Sequence, residues 1–369
     1  MDKKWEDNDL ISPEILSFLH DSDHVVINVE GPLSDASKQS VEGSVQSLLH
    51  TMNPAAAEVF KNMHADIWNL NNNHMMDAGE VGVSDTLAEA KKAGALTVGA
   101  GMNIDEAARP LFFDEAGGIG IFSVGYRRGC KSAGEDHAGC LLWNEIKIIK
   151  KNIEEIKKTC RWCIIIAHGG EEFTSLPSPY VRDRYLEYLK MGADIIVCHH
   201  PHVPMNFELF ENKAIFYSLG NFIFDTDYQR AQFNTEKGVV LRLSFSPNDF
   251  EFEALGILID RNTEHIVKAD LPKIFENVPG DEYEKLIPLS EKAFVKAHKK
   301  RQIFLESEKY SSYSESEWED HFMDEKRPGR VPGECLDFTI AYPLSKKADE
   351  SDFMSSKLPG VLKYIQDQL

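Results

Sequence analysis

Four short segments place imidazole, amide and carboxylate groups at the ends of apolar runs. Asn28-Val-Glu30 follows HVVI, Asn72-Asn73-His74 with Asp77 follows DIWNL, His168-Gly-Gly-Glu171 follows CIII, and His199-His200-Pro-His202 follows DIIVC. Histidine nitrogens with amide and carboxylate oxygens form a mixed donor set suited to Zn, Mn or Fe, ions that polarise a phosphoryl oxygen and lower the pKa of water. Singly, each segment has a bland explanation: Asp77 as a helix cap, His168 as a hydrogen-bonded core histidine. Recurrence at four strand ends favours a shared site. His200 and His202, at i and i+2 of an extended segment, would lie on one side about 7 Å apart at Cα, near enough for one ion or two adjacent ions.

Such convergence requires strands whose carboxyl ends meet, as in α/β sheets, where ligands gather beyond those ends. The runs HVVINVE, ADIWNL, ALTVGA, GIGIFSVG, CIIIAHGG and ADIIVCHHPH read as strands, with amphipathic segments such as Val81–Ala93 and Leu142–Lys158 between several of them. This alternation predicts an α/β domain with largely buried strands. Beyond residue 202 the closely spaced runs NFELFE, KAIFYSLG, GVVLRLSF and FEFEALGILI, with turns at Glu211-Asn212 and Ser246–Asp249, predict antiparallel hairpins completing a second sheet. From Asp281 the chain reads as helical and polar. The stretch YSSYSESEWED has little to bury and is expected to be solvated or mobile; a Pro/Gly run (Pro328, Gly329, Pro332, Gly333) and a last helix, KLPGVLKYIQDQL, follow. Two regions are expected: residues 1–262 carrying the α/β domain, and 263–369 forming a helical, acidic C-terminal extension packed on it.

The 369 residues carry 40 basic and 60 acidic side chains, a formal charge of −20, with 42% hydrophobic content. That composition excludes disorder as the main state, and the charge argues against a nucleic-acid partner. The N-terminal residues lack an apolar signal core and no run approaches a membrane span, so a cytoplasmic protein without membrane insertion is expected. Six sparse cysteines fit a reducing compartment. Cys160-Arg-Trp-Cys163 has CxxC spacing but no second pair, and is read as structural. Gly94–Gly101 lacks the dinucleotide-binding spacing, and His168-Gly-Gly-Glu171 has no GxSxG companion, which argues against a serine hydrolase.

The string NNHMMDAGEVGVSDTLAEAKKAGALTVGAG, with INVEGPLS, IIAHGGEEF and GADIIVCHHPHVPMNFELFENKAIFYSLGNFIFD, resembles the CapA family, named for poly-gamma-glutamate capsule biosynthesis and grouped with the calcineurin-like metallophosphoesterases. The resemblance implies a four-layer α/β/β/α sandwich of the metallophosphoesterase type and one or two divalent ions (Mn, Zn or Fe). Carried over position by position, it makes Glu30, Asn73, His168, His200 and His202 metal ligands. His74 assists the leaving oxygen, oriented by Asp77. Asn28, Glu171 and Asn221 are expected to line the substrate cleft, and Phe222 and Phe224 to pack the core. The superfamily's opening strand ends in Asp-x-His, and CapA-like chains usually begin with one ending in Gly-Asp; this sequence shows neither. Asp21-Ser-Asp23-His24 precedes its strand, at the wrong end of the sheet. The first strand is therefore expected to be missing, with ligands lost from one metal position while Glu30, Asn73, His168 and His200 serve the other.

The resemblance implies a metal-dependent hydrolase of a phosphoester or related small anionic substrate, with a link to capsule or poly-gamma-glutamate metabolism. The alternative is a non-catalytic or degenerate CapA-like protein that binds a polyglutamate-like anion.

Overall fold

The strand WCIIIAH shows why the interior is β-structured: every residue from Trp162 to His168 is buried. Branched side chains on both faces suit a central parallel strand covered on each side. The computed structural model describes residues 9–36, 49–126, 129–318 and 356–369. Fourteen strands lie among them, numbered in chain order. β1 (Val25–Asn28), β2 (Ala65–Asn69) and β3 (Leu96–Val98) form a parallel sheet. β4 (Ala100–Gly101) pairs with β7 (Gly139–Cys140).

A six-stranded sheet runs β10 (Phe207–Phe210), β11 (Lys213–Phe216), β9 (Ile195–His199), β8 (Trp162–His168), β6 (Ile119–Gly125), β5 (Leu111–Phe113). Its central strands β6, β8, β9 and β11 are parallel, while β5 and β10 are antiparallel edges. β12 (Lys237–Phe245), β13 (Phe250–Asp260) and β14 (His265–Ala269) make an antiparallel sheet. The protein is thus a mixed α/β fold with parallel and antiparallel sheets.

One expectation about connectivity changes. The hairpin β10–β11 turns at Glu211-Asn212 as expected, but it extends the sheet of β9 instead of joining the later strands: Ala214, Ile215 and Phe216 pair in parallel with Ile195, Ile196 and Val197. Fully buried Ala214, Ile215 and Phe216 cannot sit at a wet edge. The antiparallel sheet is completed by β14, which pairs with β13. Before β1 the chain forms a helix, Pro13–His20, and Ile11 makes a single parallel bridge to Ile266. Asp21-Ser-Asp23-His24 lies at the amino end of β1, where His24 meets Asp66 at 2.7 Å.

Helices cover the sheets through periodic apolar faces. In Ile146–Thr159, Ile149, Ile153 and Ile156 are buried at helical spacing in the same cluster as Ile165 and Ile196. Gly79–Ala93 ends at Gly94, whose φ of 75° is the left-handed cap that glycine adopts freely. Between the sheets, Ile67, Ile164, Ile166, Phe216 and Val239 form another apolar cluster, with Phe252 against it.

The helix Gly280–Leu305, with Pro288 inside it, joins Pro359–Gln366 in a further cluster that includes Leu176. Tyr310 and Trp318 stack at 5.4 Å and are buried, so the aromatic residues of the Ser/Glu-rich stretch supply the apolar surface its composition conceals. Cys130, Cys140, Cys160, Cys163 and Cys198 are buried free thiols, and burial pushes the Cys163 thiol up. The Pro/Gly run at 328–333 and Cys335 lie outside the described residues. No helix among the described residues is long and apolar enough to cross a membrane.

Candidate metal centre

The polar segments after β1, β2, β8 and β9 meet beyond the carboxyl ends of these strands. Asn28 is the last residue of β1; its Nδ2 donates to Glu30 Oε2 at 3.1 Å, and its Oδ1 accepts from Asn69 Nδ2 at 2.9 Å. This amide relay across two strands holds the Glu30 carboxylate. Asn72 Nδ2 donates to Val29 O at 2.7 Å, tying the two strand ends together, and Asn73 Oδ1 lies 2.7 Å from His168 Nε2. Glu30 Oε1 stands 3.9 Å from His168 Nε2 and 3.6 Å from His202 Nε2.

Two residue trios can each bring one ligand atom apiece to within 4.8 Å of one another: Glu30, His168 and His200, and Glu172, His200 and His202. His200 is common to both. Glu30 Oε1, His168 Nδ1 and His200 Nδ1 are buried with no hydrogen-bond partner among the described residues. Unpaired buried polar atoms are costly, and their occurrence on all three residues of one trio needs an explanation.

The electrostatics keep these nitrogens neutral. Burial drives His168 well below the ordinary histidine value, and the surrounding histidines add to the effect; burial likewise brings His200 down to about 3. Burial raises Glu30. For Glu172, burial works against the charge, but the Arg301 guanidinium, His200 and His202 outweigh it and hold the carboxyl at about 2. Neutral imidazoles with exposed lone pairs beside carboxylates are the protonation states that bind divalent metal.

Supporting hydrogen bonds set tautomers. Asn221 Nδ2 donates to Gln229 Oε1 and Thr235 O, so its Oδ1 faces His202 Nδ1 at 2.9 Å as an acceptor. His202 therefore carries its proton on Nδ1 and presents the Nε2 lone pair towards Glu30. Asp77 Oδ2 accepts from His74 Nδ1 at 2.7 Å and from the His50 backbone N–H at 2.7 Å. Asn28 and Asn221, expected to face substrate, are thus engaged with Glu30 and His202.

Some sequence expectations need revision. His200 and His202 are not in extended backbone. Strand β9 stops at His199, and the next turn puts His200 at φ 102° and His202 at φ 60°, with Phe173 opposite at φ 64°. Left-handed conformations in non-glycine residues cost about 1–3 kcal/mol each and tend to cluster at functional sites. The two rings still come within 5.9 Å. Glu171 Oε1 accepts from Tyr180 OH at 2.6 Å, and the next residue, Glu172, forms a trio with His200 and His202. Phe224 does not simply fill core: it stacks on His202 at 5.0 Å and 10° and meets the His50 ring.

His50, Glu172, Tyr228 and Arg301 carried no clear signal in the sequence. Glu172 adjoins Glu171, and nothing in residue type distinguishes the two. His50 precedes a polar turn with no strand periodicity, and Arg301 lies far along the chain from every ligand.

Residues 3–226 match the family described as "Bacterial capsule synthesis protein PGA_cap". The chain is similar to the PGA biosynthesis protein CapA of Bacillus subtilis (strain 168), 32% identical over 236 residues, 62% of each chain. It is also similar to the capsule biosynthesis protein CapA of Bacillus anthracis, 30% identical over 230 residues, 61% of this chain and 56% of that one. The match thus spans less than two thirds of these relatives. With the family match covering more than half of the sequence, the chain belongs to the PGA_cap (CapA) family of bacterial capsule synthesis proteins, within the metallophosphoesterase-like superfamily.

Proposed function

We propose that the protein is a metal-dependent hydrolase acting on a small phosphoester or related anion in capsule or poly-gamma-glutamate metabolism. The observation that carries this reading is the trio of Glu30, His168 and His200, whose ligand atoms lie within 4.8 Å of one another, with Glu30 Oε1 and His200 Nδ1 buried and unpaired among the described residues. The donor set fits a borderline divalent ion: imidazole and carboxylate suit Zn, Mn or Fe, and the depressed histidine pKa values keep the lone pairs available. Glu30, His168 and His200, with Asn73 beside His168, would hold it. A bound ion would supply Lewis-acid polarisation of the substrate oxygen and a lowered pKa for the attacking water.

The chain's own residues provide the remaining steps. Asn28 holds the Glu30 carboxylate, and Asn221 fixes the His202 tautomer. Because Asp77 anchors Nδ1 of His74, Nε2 is the atom that takes up a proton and passes it to the leaving oxygen. The four-layer α/β/β/α arrangement belongs to the same proposal, supported by helical and inter-sheet apolar clusters that both draw on the six-stranded sheet. The capsule link is supported by the relatives' names and by family membership.

The test is metal analysis of purified protein with a phosphoester screen in added Mn. A bound transition metal, and turnover that His168→Ala abolishes, are expected. Neither bound metal nor turnover sensitive to that substitution would overturn the proposal.

A further inference from the structure

The helix Gly280–Leu305 lies beyond the family match, which ends at residue 226, yet it reaches the metal centre. Three of its residues at i, i+4 and i+7 share one face. Ala297 packs on the cluster of Phe173, Val203 and Tyr228; Phe304 meets the Tyr228 ring at 5.3 Å; and between them Arg301 points its Nη1 to 3.5 Å from Glu172 Oε2. The same carboxylate oxygen accepts from Tyr228 OH at 2.9 Å. Glu172 is also the only carboxylate of the trio with His200 and His202.

A metal ion held by Glu172 would have to share that carboxylate with the Arg301 guanidinium, whose positive charge opposes it. An arginine stays charged in any protein environment. We infer that Arg301 is a built-in cation that takes the place of a second metal ion at Glu172, His200 and His202, leaving a mononuclear centre at Glu30, His168 and His200 and a fixed positive charge for an anionic substrate group. This inference rests on the metal reading proposed above. It also gives the helix a specific role: the docking of Ala297 and Phe304 holds the charge in position.

The experiment is metal stoichiometry by equilibrium dialysis with Mn(II), with electron paramagnetic resonance of the loaded protein, on the full chain. The wild type should saturate at one ion per chain with an uncoupled Mn signal. Arg301→Gln should take up a second ion and show the broadened signal of a coupled Mn pair. Arg301→Lys, which keeps the charge, should stay at one. In the Arg301→Gln background, Glu172→Gln should remove the second ion and leave the first. A wild type that binds two ions overturns the inference without any variant and leaves the metal reading intact, as does an Arg301→Gln protein that still binds one. Should neither the wild type nor Arg301→Gln bind Mn(II), the metal reading itself fails and the inference goes with it.

Discussion

Acid should destabilise the metal-free protein through the histidines that burial keeps neutral. His200 is only 5% exposed, and its pKa is brought from 6.5 to about 3. A histidine with a lowered folded-state value leaves the unfolded chain binding more protons between those two values, so stability falls as pH falls through that window. At pH 5 the unfolded chain sits 1.5 units below its ordinary value while folded His200 remains unprotonated; at ~1.4 kcal/mol per unit the loss is about 2 kcal/mol.

His168, lowered in the same direction, adds to it. Glu30 works the other way: burial raises its value, so its contribution recovers as pH drops. Glu172, lowered from 4.5 to about 2, loses its contribution only as pH falls through 4.5, below the interval between pH 7.5 and pH 5. The assay is urea unfolding of chelator-treated protein at pH 7.5 and pH 5, comparing wild type with His200→Gln, which removes one titrating group and leaves the others. The wild type should lose about 2 kcal/mol more than the variant over that interval. Parallel losses, agreeing within ~0.5 kcal/mol, would refute the assignment of a buried neutral imidazole to this position.

Other outcomes follow from the same geometry. Mn(II) at about a hundred times its dissociation constant should raise unfolding stability by ~2.7 kcal/mol, and His168→Ala should cancel the shift; an equal shift in the variant places the ion elsewhere. His74→Gln should lower kcat on a responsive phosphoester by roughly 10²–10⁴-fold with metal content unchanged, which steady-state kinetics beside metal analysis will measure. Gly99 has φ 90°, and a Cβ there would come within 2.5 Å of Asn71 Cβ and 2.8 Å of Ser123 Cβ. Gly99→Ala should cost about 2 kcal/mol or more by chemical denaturation, and a neutral result refutes that packing.

The sequence by itself determined where chemistry would gather. Alternating apolar runs and helical segments imply parallel strands, and residues that follow a parallel strand necessarily leave the sheet at its carboxyl end. Asn28 with Glu30, Asn73 with His74, His168, and His200 with His202 were therefore legible as neighbours before any coordinates, because a short-range rule of period and direction places them. The Asp77 contact with His74 was expected from the family resemblance alone, since spacing by itself also allowed Asp77 as a helix cap. Family resemblance supplied the roles.

Tertiary structure decided what lies outside regular backbone or depends on partners distant in sequence. Adjacent Glu171 and Glu172 look alike in composition. The left-handed Phe173 turn, Tyr180 and Tyr228 separate them, directing one carboxylate to a tyrosine and the other to the histidines. The expected extended His200–His202 segment became a positive-φ turn, since β9 ends at His199 and no ladder hydrogen bonds hold the chain straight beyond it. The destination of the β10–β11 hairpin depended on which sheet offered a free strand edge. Arg301 lies 129 residues after Glu172, on a helix whose polar composition resembles any solvated surface. Only the docking of Ala297 and Phe304 onto the Phe173 and Tyr228 region brings its charge to the metal centre, because Coulomb interactions act over ångströms in space and leave no periodic mark along the chain.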